Sequence, residues 1–201
     1  METEKNFEKK ELRHSRLCRL LIACAFVFLA LRISITVIEI MRLWGRPEAE
    51  VILIDTGYSY RFEMFAGYAQ CSYLNIPAEA RMVSRKTFCM AWLILSVMTE
   101  DLPVLAVLGY LRKIMKVIRE SHSPFVPQTV SCTQKIGWLI LLTGILGEAV
   151  LQMGMGLLVY RVPYLMNPLN FFWIFAGAVV LLVGDILKWG CDLQEFSDET
   201  L

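Results

Sequence analysis

Histidine is scarce in this chain. Only His14 and His122 are present, in separate segments, and neither has a metal-ligand partner at motif spacing. The six cysteines contain no Cys-x-x-Cys pair, so no metal ribbon or intrachain disulfide framework follows from their spacing. Phosphate loop, dinucleotide fingerprint and nucleophile elbow are lacking, as are internal repeats. Charge is sparse as well: 19% of the 201 residues are charged, and the net charge is +1. A nucleic-acid binder needs a basic footprint, which this balance excludes. Disorder needs low hydrophobicity with high net charge, and 56% of the chain is hydrophobic. No catalytic residue, metal or cofactor is expected, and an enzyme is not the expected class.

What the chain has instead is long apolar runs, reflected in a mean hydropathy of +0.52. They cover residues 19–41, 87–111, 136–160 and 169–189. At about 1.5 Å per helical residue each covers a hydrocarbon core of about 30 Å. Helices of a soluble bundle need one apolar stripe only. Stretches such as Phe26 to Leu31 and Val179 to Val183 are apolar all round. The expected fold is therefore all-α transmembrane, a four-helix membrane bundle with a small extracellular loop subdomain. Its parts are a cytoplasmic N-terminal segment (1–18), a membrane domain (19–189) and a cytoplasmic acidic tail (190–201). An outer loop spans 42–86 and a cytoplasmic loop 112–135.

The loops set the orientation. Twelve basic residues fall on the side of the N-terminal segment, the 112–135 loop and Lys188, against seven on the other. The excess assigns both termini to the cytoplasm of a cell membrane. Arg85 and Lys86 lie on the other side, next to the second span. Trp44, Trp138, Trp173 and Trp189 fall near span ends, where interfacial tryptophans are enriched. The first tract is too long for a signal peptide and no small-residue cleavage pattern follows it, so it is expected to stay as an anchor.

In the outer loop, Tyr58, Tyr60, Phe62 and Met64 alternate with smaller or polar residues, a period of two that predicts a strand. With the β-prone Val51 to Ile54 and a turn at Asp55-Thr56-Gly57, a small β-hairpin is expected, as a lid packed on the bundle or as a ligand surface. Asn75 and Pro77 predict a helix start, with the helix running into the second span. In the cytoplasmic loop, Ser121 to Ser123 ends the second helix before Pro124. Arg112, Lys113, Lys116 and Arg119 stand at its cytoplasmic end, where cations suit both the helix dipole and anionic headgroups.

Charges inside the spans are the sharpest chemical feature. Arg32, Glu39, Glu100, Asp101, Glu148 and Asp185 all fall within apolar tracts. Charged groups in hydrocarbon are costly and face a partner or a watery cavity. Arg32, Glu100 and Glu148 lie at nearly the same depth on three spans. Arg32 offers a forked guanidinium, so Arg32, Glu100, Asp101 and Glu148 form the candidate ligand- or ion-binding group. The alternative is a static network that holds the bundle together. Pro103 follows the two acids, removes a backbone bond to the Thr99 carbonyl and predicts a kink there. On the third span Gly144, Gly147 and Gly154 share one face, and Gly177 and Gly184 are seven apart on the fourth. These spacings predict close packing of spans three and four.

Two short elements carry a family resemblance. Ser123-Pro124-Phe125 precedes a span by some ten residues, and the chain closes with Gly190, Leu193-Gln194, acidic residues and Thr200-Leu201. Together with the four-span layout and long first outer loop, from about Leu17 onward, these resemble a bacterial membrane family, the domain-of-unknown-function family numbered 2975. The chain departs from that pattern at Gln128, where Asn is usual, and around Cys132 to Gln134, where a Leu-Arg pair is replaced. The family has no settled activity, and its members are often encoded beside a small helix-turn-helix regulator. The resemblance implies a sensor or regulatory membrane partner in a bacterial inner membrane. Its cytoplasmic contact surface would be Pro124, Phe125, Leu193, Gln194, Asp198 and Glu199. The competing expectation is a small ion-coupled transporter or ligand-binding membrane protein built on the intramembrane charges. Four spans leave little room for a path in one subunit, so that reading implies a homo-oligomer.

Overall fold

A computed structural model describes residues 2–56, 59–65, 67–72, 82–121 and 123–199, with side chains for 16–56, 59–65, 67–71, 82–121 and 123–197. No proline or glycine occurs before Gly45, and helix α1 runs unbroken over Glu2–Gly45. It therefore starts well before the apolar tract at residue 19. Gly45 and then Pro47 stop it. A single 3-10 turn, Glu48–Glu50, leads to three strands, β1 (Leu53–Asp55), β2 (Ser59–Met64) and β3 (Gly67–Ser72). Helix α2 (Arg85–Ser96), a π-turn (Val97–Asp101) and helix α3 (Leu102–Ser121) follow as one continuous helical segment. Helix α4 (Pro127–Met155) starts with proline at its first position, where the missing N–H costs nothing. It ends in a second π-turn, Gly156–Tyr160, closed by Arg161 in the left-handed region (φ 56°). Helix α5 covers Phe171–Glu199.

Among the described residues, four helical segments are long and apolar enough to cross a membrane: Arg16–Gly45, Arg85–Ser121, Pro127–Tyr160 and Phe171–Ser197. Phe28, Phe172 and Phe175 are each more than 70% exposed, which a water-soluble bundle would avoid and a lipid-facing surface requires. The protein is an all-α, multi-pass membrane bundle with a small antiparallel sheet.

The chain divides into two compact units. One comprises Ala30–Pro103 and Leu142–Ile174. Its sheet has the order β1-β2-β3, so the outer loop holds a third strand beyond the expected hairpin. β2 pairs with β3 from Ser59↔Ser72 to Met64↔Gly67. The period of two in β2 turns Tyr60, Phe62 and Met64 inward, while Arg61 and Glu63 face out. Tyr60 meets Phe88 edge-on at 5.2 Å between ring centres, and Phe62 meets Trp92 at 5.8 Å. The aromatics thus pack the sheet onto α2, and Phe62, Phe88 and Cys71 are almost completely buried. Thr56 closes the β1–β2 turn by donating its hydroxyl to the Ser59 carbonyl at 2.7 Å.

The helix start expected at Asn75 and Pro77 lies outside the described residues, but its continuation into the second span is corrected. Residues 82–84 are not helical, and α2 begins at Arg85. Ser84 is extended (φ −159°, ψ 137°), and its hydroxyl accepts from the Thr87 N–H as an N-cap. Lys86, which counted against the assigned orientation, donates to the carbonyls of Trp44 and Arg46 at 2.8 Å each. It caps the C-terminus of α1, where a cation complements the dipole.

The second unit comprises Met1–Leu29, Val104–Leu141 and Phe175–Leu201. Here α4 and α5 approach through glycine. A Cβ on Gly177 would stand 2.6 Å from the Leu141 backbone nitrogen, and one on Gly137 2.7 Å from the Leu181 side chain. Gly184 faces Gln134, which donates to Asp185 at 3.4 Å.

Candidate functional site

Arg32 stands mid-span on α1 and forks between two acids. Its Nη2 donates to Glu100 Oε2 at 2.8 Å, and its Nε lies 3.1 Å from Asp101 Oδ1. Adjacent residues on an α-helix point about 100° apart, which would carry one of these acids away from a common partner. The π-turn removes that difficulty. Leu102 N–H bonds back to Val97 O, five residues earlier, and the wider turn narrows the angle between successive side chains. The change of register lies directly before Pro103, whose missing N–H would otherwise have faced the Thr99 carbonyl. The disturbance expected at Pro103 takes the form of a π-turn directly before it. Thr99 also donates its hydroxyl to Leu95 O at 2.9 Å.

The three charges are unequally covered. Asp101 is 2% exposed, whereas the Arg32 and Glu100 side chains are 46% and 57% exposed. Asp101 Oδ2 is buried without a hydrogen-bond partner among the described residues. With both acids ionised the group carries a net single negative charge. It has an open side at Glu100 and an unsatisfied acceptor at Asp101. That arrangement can take up a proton or a small cation.

Glu148 does not share Arg32, contrary to the expectation from depth. It accepts from Gln152 Nε2 at 3.1 Å, four residues along α4. Gln152 also donates to Met166 O at 3.0 Å and accepts the Met166 N–H at 2.8 Å, so one buried amide ties the 161–170 loop to α4. Equal depth did not imply equal azimuth. In the same loop Tyr164 is buried against Tyr160, and its hydroxyl has no hydrogen-bond partner. Burial, and then the Glu148 carboxylate, push the Tyr164 phenol up to about 12. Glu39, the other charge of α1, is fully buried. It lies 3.2 Å from Arg42 Nε and accepts the Phe65 N–H at 2.8 Å, which anchors the end of β2 to α1. The backbone partner of Glu39 was not legible in the sequence.

The glycine stripe of α4 is split. Gly144 does meet α5: an added Cβ would lie 2.7 Å from the Ile174 nitrogen, and the Gly144 carbonyl accepts the Asn170 N–H at 2.9 Å. Gly147 and Gly154 instead face the second span, at the Thr99 carbonyl (3.8 Å) and the Leu95 side chain (2.7 Å), because the stripe turns around the helix. At Gly156, next to that stripe, an added Cβ would stand 2.6 Å from Val162 O.

Of the expected cytoplasmic contact residues, Phe125 lies against Gly190, where an added Cβ would be 2.3 Å from its ring. Phe125 is 42% exposed, and Leu193 on α5 is 70% exposed. The side chains of Asp198 and Glu199 lie outside the described residues. Among the described residues, no three or more His, Cys, Asp or Glu are grouped to hold a metal. No family model, curated protein or solved structure matches the chain.

Proposed function

We propose that this chain is a small ion-coupled transporter or ligand-binding membrane protein, whose site is the Arg32–Glu100–Asp101 group. One observation supports the reading: a mid-span charge cluster that is not fully covered, with Glu100 57% exposed and Asp101 Oδ2 buried without a partner among the described residues. A static lock should bury and satisfy its members, since a lone charge at mid-bilayer costs about 3 kcal/mol on insertion scales. The ligand class is a proton or a small monovalent cation, which offsets the net negative charge. Arg32 holds the two carboxylates together while one of them changes occupancy. Half-exposed charges at this depth need a watery crevice or a second copy beside them, which supports an oligomer.

Ligand occupancy stabilises the folded state by mass action. Purified protein should melt higher on titration with Na⁺ or K⁺, or on acidification, and the double variant Glu100→Gln/Asp101→Asn should lose that response while keeping its helix content. A response equal in both proteins would refute the site.

A second reading, the membrane partner of a cytoplasmic regulator, is supported by the packing of Phe125 on Gly190. That contact joins the Pro-Phe loop and the tail, the two elements of the family resemblance, into one surface. In this reading, as in the first, both termini are cytoplasmic. A small DNA-binding protein should co-purify and be lost on deleting Gln194 to Leu201; its absence from the intact protein's eluate counts against this reading.

A further inference from the structure

Helices α1 and α3 leave a cleft of about 1100 Å³ between them, within a single compact unit. That is at or above the upper range of small-molecule pockets. Its cationic residues are Arg19, Arg112, Lys113, Lys116 and Arg119, with Glu120 the one acid. Glu120 is 3.8 Å from Lys116 and neutralises one charge at most. Toward the span interior the lining changes character to Ile22, Ala23, Phe26 and Gly109. The spacing explains the sorting. Residues 19, 22, 23 and 26 follow one face of α1, and 109, 112, 113, 116 and 120 one face of α3.

Both sets straddle the same boundary. Arg19 opens the first apolar tract, and Arg112 follows the last residue of the second. Cations therefore stand at the depth of the phosphate layer and apolar side chains at the depth of acyl chains. Gly109 leaves the cleft open, since nothing lies within 4 Å of where its Cβ would be.

We propose that this cleft is a binding site for an anionic phospholipid, with the headgroup phosphate on the Arg112–Lys113–Lys116–Arg119 rim and an acyl chain along Ile22 and Phe26, past Gly109. A phosphate alone would satisfy the rim but leave the apolar floor uncovered. A zwitterionic lipid would cover the floor but bring no net charge. An anionic lipid meets both requirements. The inference does not depend on the Arg32 site.

The test is native mass spectrometry of the full chain in detergent, titrated with phosphatidylglycerol, phosphatidylcholine or inorganic phosphate. Helix content and melting of each variant are checked first. Phosphatidylglycerol should bind in preference to phosphatidylcholine. Each juxtamembrane cation contributes about fivefold to anionic-lipid affinity, so Arg112→Gln/Lys113→Gln should weaken phosphatidylglycerol roughly twentyfold. Both of those side chains are exposed, so this variant keeps its fold even if the next does not. Gly109→Phe fills the cleft with every cation retained and should abolish the preference. Equal binding of the two lipids overturns the proposal. So does a folded Gly109→Phe that still prefers phosphatidylglycerol, or displacement of the lipid by millimolar inorganic phosphate, which would make soluble phosphate the ligand.

Discussion

Gln152 uses both ends of its side-chain amide on the Met166 backbone and its second N–H on Glu148. Removing it breaks two part-buried hydrogen bonds to the backbone of the exposed Met166, each worth about 0.5–1.5 kcal/mol net. Gln152→Ala should therefore lower stability by about 1–3 kcal/mol, measured by denaturant unfolding in detergent micelles. Tyr164 gives a prediction of the opposite sign. Its hydroxyl has no hydrogen-bond partner, so Tyr164→Phe should be nearly neutral at pH 7. Because its folded pKa is raised from 10.0 to about 12, burial favours the protonated phenol. The stability this group gives is complete below pH 10 and is lost as pH rises from 10 to about 12. Melting at pH 11 should thus be higher for Tyr164→Phe than for the parent, and equal melting there would contradict the burial argument. Individual charges were legible because a charge in an apolar tract stands out. Their partners were not: residue counting gives depth along a helix, and Glu148 at the right depth points to Gln152 instead of Arg32.

Among elements, the decisive one is the π-turn Val97–Asp101, which lets two adjacent acids meet one arginine. Pro103 signalled a disturbance in this helix, but not the wider turn that precedes it. The four spans were readable from uninterrupted apolar length. The third strand was not, because Gly67 to Ser72 is short and only half apolar. Helix packing yields a paired test. Gly177→Ala forces a Cβ to 2.6 Å from the Leu141 nitrogen and should cost about 1–3 kcal/mol, as overpacking does. Gly147→Ala meets only ordinary contacts at 3.6 and 3.8 Å, so it should be neutral or slightly stabilising. Thermal unfolding of the two variants side by side checks the contrast, and equal losses would mean the α4 face has been misassigned.

For the whole molecule, the four spans and the excess of basic residues on one side predict that the N- and C-termini share the cytoplasmic side with the 112–135 loop. Reporter fusions at residue 121 and at the two termini should all read cytoplasmic, and a fusion after Ser72 should read outside. The largest consequence is functional. The proposed function requires the half-exposed Arg32–Glu100–Asp101 group to be exchangeable. The direct measurement is flux. The protein is reconstituted in liposomes loaded with a pH-sensitive dye, and a Na⁺ or K⁺ gradient is imposed. The parent should move protons or cations faster than empty liposomes, and Glu100→Gln/Asp101→Asn, folded and inserted to the same extent, should fall to the empty-liposome rate. Flux that is absent from the parent under every gradient, or unchanged in the double variant, would contradict the assignment of Arg32, Glu100 and Asp101 as an exchanging site.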